Sequence, residues 1–451
     1  MARSQPVYIC SKCGGASVKW QGQCPVCGEW NCLEVAVRPD PAATRLAAQA
    51  TAPRLGEVAP SPQERTASGF AEFDRVLGGG LVSGSVVLVG GVPGIGKSTL
   101  LLQVAAAVGS ACPTLYVSGE ESSEQVAMRA RRLGVDTSAV RVLAASLVED
   151  VIAAARSIGA RCLIIDSIQT MGSELQPSAP GSPNQLRDSA TRLIQFAKST
   201  GTAVILIGHV TKEGLIAGPR LLEHMVDAVL YFEDDNSSRY RLLRSVKNRF
   251  GAANELGVFA MDSDGLKEVR NPSAIFLSRH EEQVAGSIVT ALHQGTRPLL
   301  IEVQALTDRG GGGPGRRLAV GLDQGRLALL LAVLHRHAGM RTHEDDVFIN
   351  VVGGVRVTET AADLAVVAAL VSSLDGRPVR RDLVVFAEIG LGGELRPVPY
   401  GEERLREAAK LGFRHAVVAS ANRPRRPLAG VEVIAAARLR DALDAIRERG
   451  S

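Results

Sequence analysis

Aromatic residues make up only 4% of the 451-residue chain, so its cores must be built from Val, Leu, Ile and Ala. The same scarcity leaves no basic stretch interleaved with aromatics, which excludes base stacking as the dominant mode of any nucleic-acid contact. No run of 18 or more uncharged apolar residues occurs, so no transmembrane helix is expected. A basic segment followed by an apolar one is missing near the N-terminus, so no signal peptide is read and a cytoplasmic protein is expected. Charge of one sign is not in excess. Lys and Arg number 51 against 47 Asp and Glu, a net +4 that neither demands nor excludes nucleic acid, because binding needs a local patch. Cysteines number seven, and in a reducing compartment they point to metal or core use rather than disulfides.

At this length two or three domains are expected. Residues 1–37 are Cys-rich. Residues 38–60 are rich in Pro and Ala without a helical stripe and read as a linker. Over 61–268 the runs "SVVLVGG", "TLYVSGE", "CLIIDSI" and "TAVILIGH" alternate with helical stretches such as "STLLLQVAAAVGS". Near-continuous apolar strands alternating with helices mean α/β with a parallel sheet. From 269 to 451 a second α/β or α+β domain is read, with "DRGGGGPGRR" at 308–317 as a mobile loop.

Cys10, Cys13, Cys24 and Cys27 form C-x2-C-x10-C-x2-C. Two such pairs place four thiolates around one tetrahedral Zn2+, and the neighbouring Gly and Pro residues let each knuckle turn. So small a module takes its folding energy from the metal, on the order of 10–16 kcal/mol in comparable peptides. A closed four-thiolate site leaves no position for chemistry, so its role is structural or interactive. Cys32 falls outside the spacing and is read as a spare.

Residues 91–99, "GVPGIGKST", follow the apolar run "SVVLVG" and open a helical pattern. That is the context a phosphate loop requires. Backbone amides of Gly91, Val92, Pro93, Gly94, Ile95, Gly96, Lys97, Ser98 and Thr99 (Pro93 having none to give) wrap the phosphates of ATP at a helix N-terminus. Lys97 is expected to reach the β- and γ-phosphates and Ser98 to ligate Mg2+. Asp166 ends the run "CLIID", where it can hold Mg2+ through water. Glu120 and Glu121 follow "TLYVSG", and a carboxylate there can orient the attacking water. Glu120 is the better placed, although either could simply favour a helix N-terminus. At the end of another strand-like run, "RYRLLRSVKNRFG", Lys247 and Arg249 are two apart and share one face. Two cations so fixed await an anion.

The strand-end Glu, the phosphate loop and "LIIDS" resemble the RecA-type ATPases. With "CSKCGG…CPVCGEW", "HVTKEG…AGPRLLEHMVD" and "KNRFG" added, the whole chain resembles the bacterial RadA (Sms) family. The resemblance implies a RecA-like core, ATP with Mg2+ and Zn2+, and a homo-oligomeric, hexameric ring on single-stranded and branched DNA. It also implies branch migration in recombination and repair with RecA recombinase as a partner, and no membrane. In ring ATPases a cation from one subunit reaches the γ-phosphate held by the next, which implies that role for Lys247 first and Arg249 second. A DNA-backbone contact or an exposed strand end stays open for the pair. DNA-binding loops are expected at 172–188 and 209–220, the latter offering Lys212 and Arg220 to phosphates. His209 sits where related ATPases carry a γ-phosphate sensor.

The last part of the chain, with "VGGVRVTETAADLAVVAAL" and "FAEIGLGGELRPVPYGEERLREA", resembles the Lon proteolytic domain. Its Ser position falls on Ala361 and its Lys position near Glu402. Ser372 and Ser373 lie later, without a matching Lys. No peptidase activity is expected. Arg316, Arg317, Arg380 and Arg381 are possible DNA contacts of a scaffold.

Overall fold

The computed structural model describes residues 7–10, 12, 16–17, 19–36, 64–174, 178–179, 181–209, 218–233, 239–277, 284–309 and 315–448. It divides into two compact units, 1–62 and 63–451. In the first, Val7–Cys10 pairs antiparallel with both Ala16–Ser17 and Leu33–Ala36. Among the described residues its buried side chains are almost all cysteine: Cys10, Cys24 and Cys32 pack with Leu33. So little apolar area cannot hold a fold by itself.

The second unit carries two large sheets. Strands of the first are numbered in chain order: β1 (Val86–Gly91), β2 (Thr114–Ser118), β3 (Val140–Ala144), β4 (Cys162–Asp166), β5 (Ala203–His209), β6 (Ala228–Phe232), β7 (Tyr240–Asn248), β8 (Leu256–Asp262) and β9 (Gly265–Glu268). Their order across the sheet is β9-β8-β7-β6-β1-β5-β4-β2-β3. Strands β1 to β6 are mutually parallel, as the apolar runs predict. All six residues of β1 are buried, the pattern of a strand covered on both faces. At one side of these parallel strands β7, β8 and β9 add on antiparallel. Strand β3, with mostly half-buried residues, is an edge that the run analysis passed over.

Helix α1 (Lys97–Gly109) packs Leu100, Leu101, Val104 and Val108 against one face of this sheet. Helices α2 (Ser123–Arg132), α3 (Val148–Ser157) and α4 (Pro183–Thr200) follow β2, β3 and β4. The expected loop 172–188 is shorter than predicted. Proline at the first turn of α4 is pre-set for a helix start, and the helix takes in 183–188.

The second sheet has seven strands, in the order Arg317–Val320, Asp345–Val351, Arg297–Arg309, Ser287–Gln294, Leu383–Phe386, His415–Ala419, Glu432–Ala436. Gln324–Val333, Asp363–Asp375 and Leu439–Glu448 pack on one face, Gly401–Lys410 on the other. Residues 308, 309 and 317 of the expected glycine loop are strand, and 310–314 lie outside the described residues. The two sheets are tied by Arg297 to Glu72 at 2.9 Å and by the Thr296 amide to Glu255 at 2.8 Å. No described helix is long and apolar enough to cross a membrane.

Candidate functional site

In an open parallel sheet, ligands gather at the carboxyl ends of the strands. The register here aligns those ends: His209 pairs with Gly91, and Ser118 with Asp166. The phosphate loop leaves β1, Glu120 follows β2, Asp166 ends β4 and His209 ends β5. Four side chains far apart in sequence thus share one edge.

The loop from Gly91 to Gly96 turns into α1 with Gly96 at φ +117°, where a Cβ would lie 2.8 Å from Met261 Cε. Such a backbone is open to glycine and to little else. At Gly94 an added Cβ would meet nothing within 4 Å, which leaves an open mouth over the loop. Lys97 is 3% exposed and donates to the carbonyls of Gly91 at 2.8 Å and Val92 at 2.9 Å. Burial pushes its amine down to about 8, against the opposing pull of Asp166 and Glu120. A buried cation folded back onto its own loop is suited to exchange those carbonyls for phosphate oxygens. The hydroxyl of Ser98 and the carboxylate of Asp166 are hard oxygen donors of the kind Mg2+ takes. These residues therefore fit a nucleotide with its Mg2+.

The two glutamates have different partners. Arg129 of α2 holds Glu121 in an ion pair. Glu120 Oε1 instead accepts from Ser167 Oγ at 2.9 Å and lies 3.7 Å from His209 Nε2. Its side chain is 52% exposed. Neither glutamate caps α2: that residue is Ser122, which makes a reciprocal capping box with Gln125. Gly119 lets β2 bring Glu120 this close: its amide donates to Asp166 O at 2.8 Å, and a Cβ would sit 1.9 Å from Thr170 Oγ1. Burial, with the Lys97 charge added, holds His209 below the usual imidazole range despite Glu120, so it is neutral near pH 7. Among the described residues, His209 Nδ1 and Gln169 Oε1 are buried without a hydrogen-bond partner. Orphaned polar atoms at this edge fit a site that a polar ligand completes.

Lys247 and Arg249 lie elsewhere. Val229 of β6 pairs with Lys247, and Ala228 pairs with Val87 near the start of β1. They therefore stand at the opposite edge from their own phosphate loop. Lys247 Nζ donates to the carbonyls of Glu223 and Val226, each at 2.7 Å, and His224 at 3.4 Å, just after helix Gly218–Glu223. Arg249 reaches Asp227 at 3.1 Å. Burial alone would raise the Asp227 carboxyl, but Lys198, the Val86 amide and Arg249 outweigh it and hold it low. Asn248 donates to Val76 O at 3.2 Å, and Gly251 packs so close to Gly78 that a Cβ would lie 2.7 Å from its Cα. Four letters of "KNRFG" thus have structural partners of their own. Lys212 lies outside the described residues, as does the side chain of Arg220.

In the N-terminal unit the sulfurs of Cys10, Cys24, Cys27 and Cys32 all lie within 4.8 Å of one another. The Cys10–Cys27 separation of 3.7 Å matches the edge of a tetrahedron with ~2.3 Å metal–sulfur bonds, about 3.8 Å. The donor set fits zinc. Cys32, expected apart from it, has its Sγ 3.3 Å from that of Cys10. Pairing of Cys10 with Leu33 folds the later segment back beside the first knuckle, which spacing alone does not reveal. Cys13 lies outside the described residues.

In the C-terminal region Ala361 is buried in the apolar core and Glu402 pairs with Arg406 at 3.0 Å. Ser372 Oγ accepts from the Gly286 amide at 2.9 Å and donates to Arg377 O at 2.5 Å, and Ser373 Oγ accepts from the Thr307 amide at 2.9 Å. Both serines serve backbone groups, and neither has a Lys partner among the described residues. Arg317 donates to the carbonyls of Asp345 and Thr342, while Arg380 grips Asp382 through two bonds of 2.9 and 3.0 Å. Arg316 lies 3.7 Å from Asp346 with most of its surface exposed. Arg404, fully buried, pairs with Glu359 through two bonds of 2.9 and 2.7 Å. The sequence carries no sign of that pair, nor of Ser167 on Glu120 and Tyr116 on Asp166.

Residues 51–215 match the family model for an AAA domain, and residues 8–34 that for a rubredoxin metal-binding domain. The chain is 55% identical to DNA repair protein RadA of Pseudomonas aeruginosa over 99% of its own length and 100% of that protein's. It is 50% identical to the Escherichia coli protein of the same name over 97% of each, and 44% identical to that of Bacillus subtilis over 98% and 99%. Identity of this degree over nearly the whole of both chains shows that this chain belongs to the RadA family.

Proposed function

We propose that the chain is an ATP hydrolase of DNA repair, and more finely a DNA-dependent motor that drives branch migration during homologous recombination. The observation that carries the reading is the meeting of Lys97, Ser98, Glu120, Asp166 and His209 at one carboxyl edge. In this reading the amides of 91–99 and Lys97 bind the phosphates. Ser98 and Asp166 hold Mg2+, which when bound neutralises phosphate charge. Glu120, aimed by the Ser167 hydroxyl, takes the proton of the attacking water. Neutral His209 offers an N–H toward the γ-phosphate end of the site.

Lys247 and Arg249 at the far edge support a homo-oligomeric ring, since they can reach a nucleotide only on a neighbouring copy. A cation delivered across such a joint is worth ~10³–10⁵ in rate. The segment between His209 and helix Gly218–Glu223, with Lys212 and Arg220, is the proposed contact to single-stranded or branched DNA, bound through its backbone and weakened by salt. A hexamer, and RecA recombinase as a partner, complete the reading. The domains are then 1–37 for zinc, 38–60 for the linker, 61–268 for ATP hydrolysis and 269–451 as a Lon-like scaffold without peptidase activity.

The test is ATP turnover with and without single-stranded DNA, for the natural chain and Lys247→Ala. Stimulation by DNA that Lys247→Ala abolishes while both ligands still bind supports the motor. A second reading, a nucleotide-gated loading module, rests on the carbonyls that already occupy Lys247, and slow turnover indifferent to DNA favours it.

A further inference from the structure

The carboxylate of Asp166 is held by a side chain that the phosphate-binding pattern does not include. Tyr116 lies in the middle of β2, paired with Ile164 of β4, and is fully buried in the core between the sheet and α1. Its Oη meets Asp166 Oδ2 at 2.6 Å. At that length the phenol is a charge-assisted donor and the carboxylate the acceptor. One of the two oxygens of Asp166 is thus claimed by the protein.

We propose that Tyr116 is the positioning residue for Mg2+ in this site: by holding Oδ2 it fixes the Asp166 carboxylate, whose other oxygen, Oδ1, would be left to hold the metal. The inference rests on the ATPase reading and deepens it. A buried tyrosine hydroxyl needs a partner, and a leucine or phenylalanine would fill the same space without one. Partners behind a metal-binding carboxylate commonly set metal affinity by ten- to a hundredfold.

The experiment titrates Mg2+ into the full chain with a fluorescent, non-hydrolysable ATP analogue, for the natural protein, Tyr116→Phe, Asp166→Ala and the double variant. Tyr116→Phe removes one oxygen, so metal-free analogue affinity is expected to stay within about twofold while the Mg2+ concentration for half-saturation rises about tenfold. In the Asp166→Ala background the same change removes a hydroxyl with no acceptor, so it folds and shifts nothing further. A half-saturation within twofold of the natural protein for Tyr116→Phe overturns the assignment. So does an equal rise in both backgrounds, which would mark a packing effect, and if Tyr116→Phe alone does not fold, any rise in the Asp166→Ala background decides against it. Binding by the natural protein that is indifferent to Mg2+ removes the ATPase reading itself, and the role of Tyr116 with it.

Discussion

Glu120→Gln separates chemistry from binding. Ser167 Oγ donates to Glu120 at 2.9 Å, and a glutamine carbonyl can accept the same bond, so the side chain keeps its place. With a side chain 52% exposed and the nearby His209 neutral, the substitution is expected to change stability by less than about 0.5 kcal/mol. What it removes is the ability to take a proton. Loss of a positioned general base costs ~10²–10⁴ in rate, or about 2.7–5.4 kcal/mol of barrier at 1.36 kcal/mol per tenfold. The assay is single-turnover hydrolysis at saturating Mg-ATP beside a direct binding titration. The expected result is a hydrolysis rate at least a hundredfold down with nucleotide affinity within threefold. Glu121→Gln is the control: it loses the Arg129 ion pair, costs at most about 1 kcal/mol of stability and leaves the rate within threefold. Equal losses for the two variants, or a Glu120→Gln enzyme within threefold of the natural one, refute the assignment of Glu120.

Since Lys97 titrates near 8 in the nucleotide-free protein and must be charged on phosphate, the bound state holds more protons above that pH. Nucleotide affinity is therefore expected to fall as pH rises beyond about 8, by up to tenfold per unit, and a dissociation constant flat from pH 7 to 9.5 contradicts this. Cys24→Ser removes a thiolate from the cluster and is expected to abolish bound zinc while nucleotide binding stays within threefold; elemental analysis with a binding titration reads both, and unchanged zinc content refutes the site. Arg404→Ala leaves Glu359 without its fully buried partner and is expected to cost ~3–5 kcal/mol, read by denaturant unfolding; a loss below 1 kcal/mol shows that the pair is not a brace.

The residues that carry chemistry were legible wherever the chemistry constrains neighbours in the chain. A phosphate loop needs a strand, glycines and a helix start in succession, so 91–99 declared the strand, turn and helix that the structure has there. Asp166 was legible for the same reason, as the charge that ends an apolar run. Legibility stopped where a partner arrives across the sheet. Nothing in "TLYVSGEE" distinguishes Tyr116, an apparent core aromatic, from a phenylalanine; only the β2–β4 pairing brings its hydroxyl to Asp166. The choice between Glu120 and Glu121 likewise depended on Arg129 one helix later and Ser167 one strand over. "KNRFG" shows a further limit. Its lysine reads as a cation waiting for an anion, yet within one chain it is satisfied by three backbone carbonyls at the edge away from the phosphate loop. An ammonium so held can pass to a neighbour's phosphate only if the gain there exceeds what those carbonyls supply. In the proposed ring that competition would make the work of Lys247 conditional on assembly, and no spacing rule within a single sequence encodes such a condition.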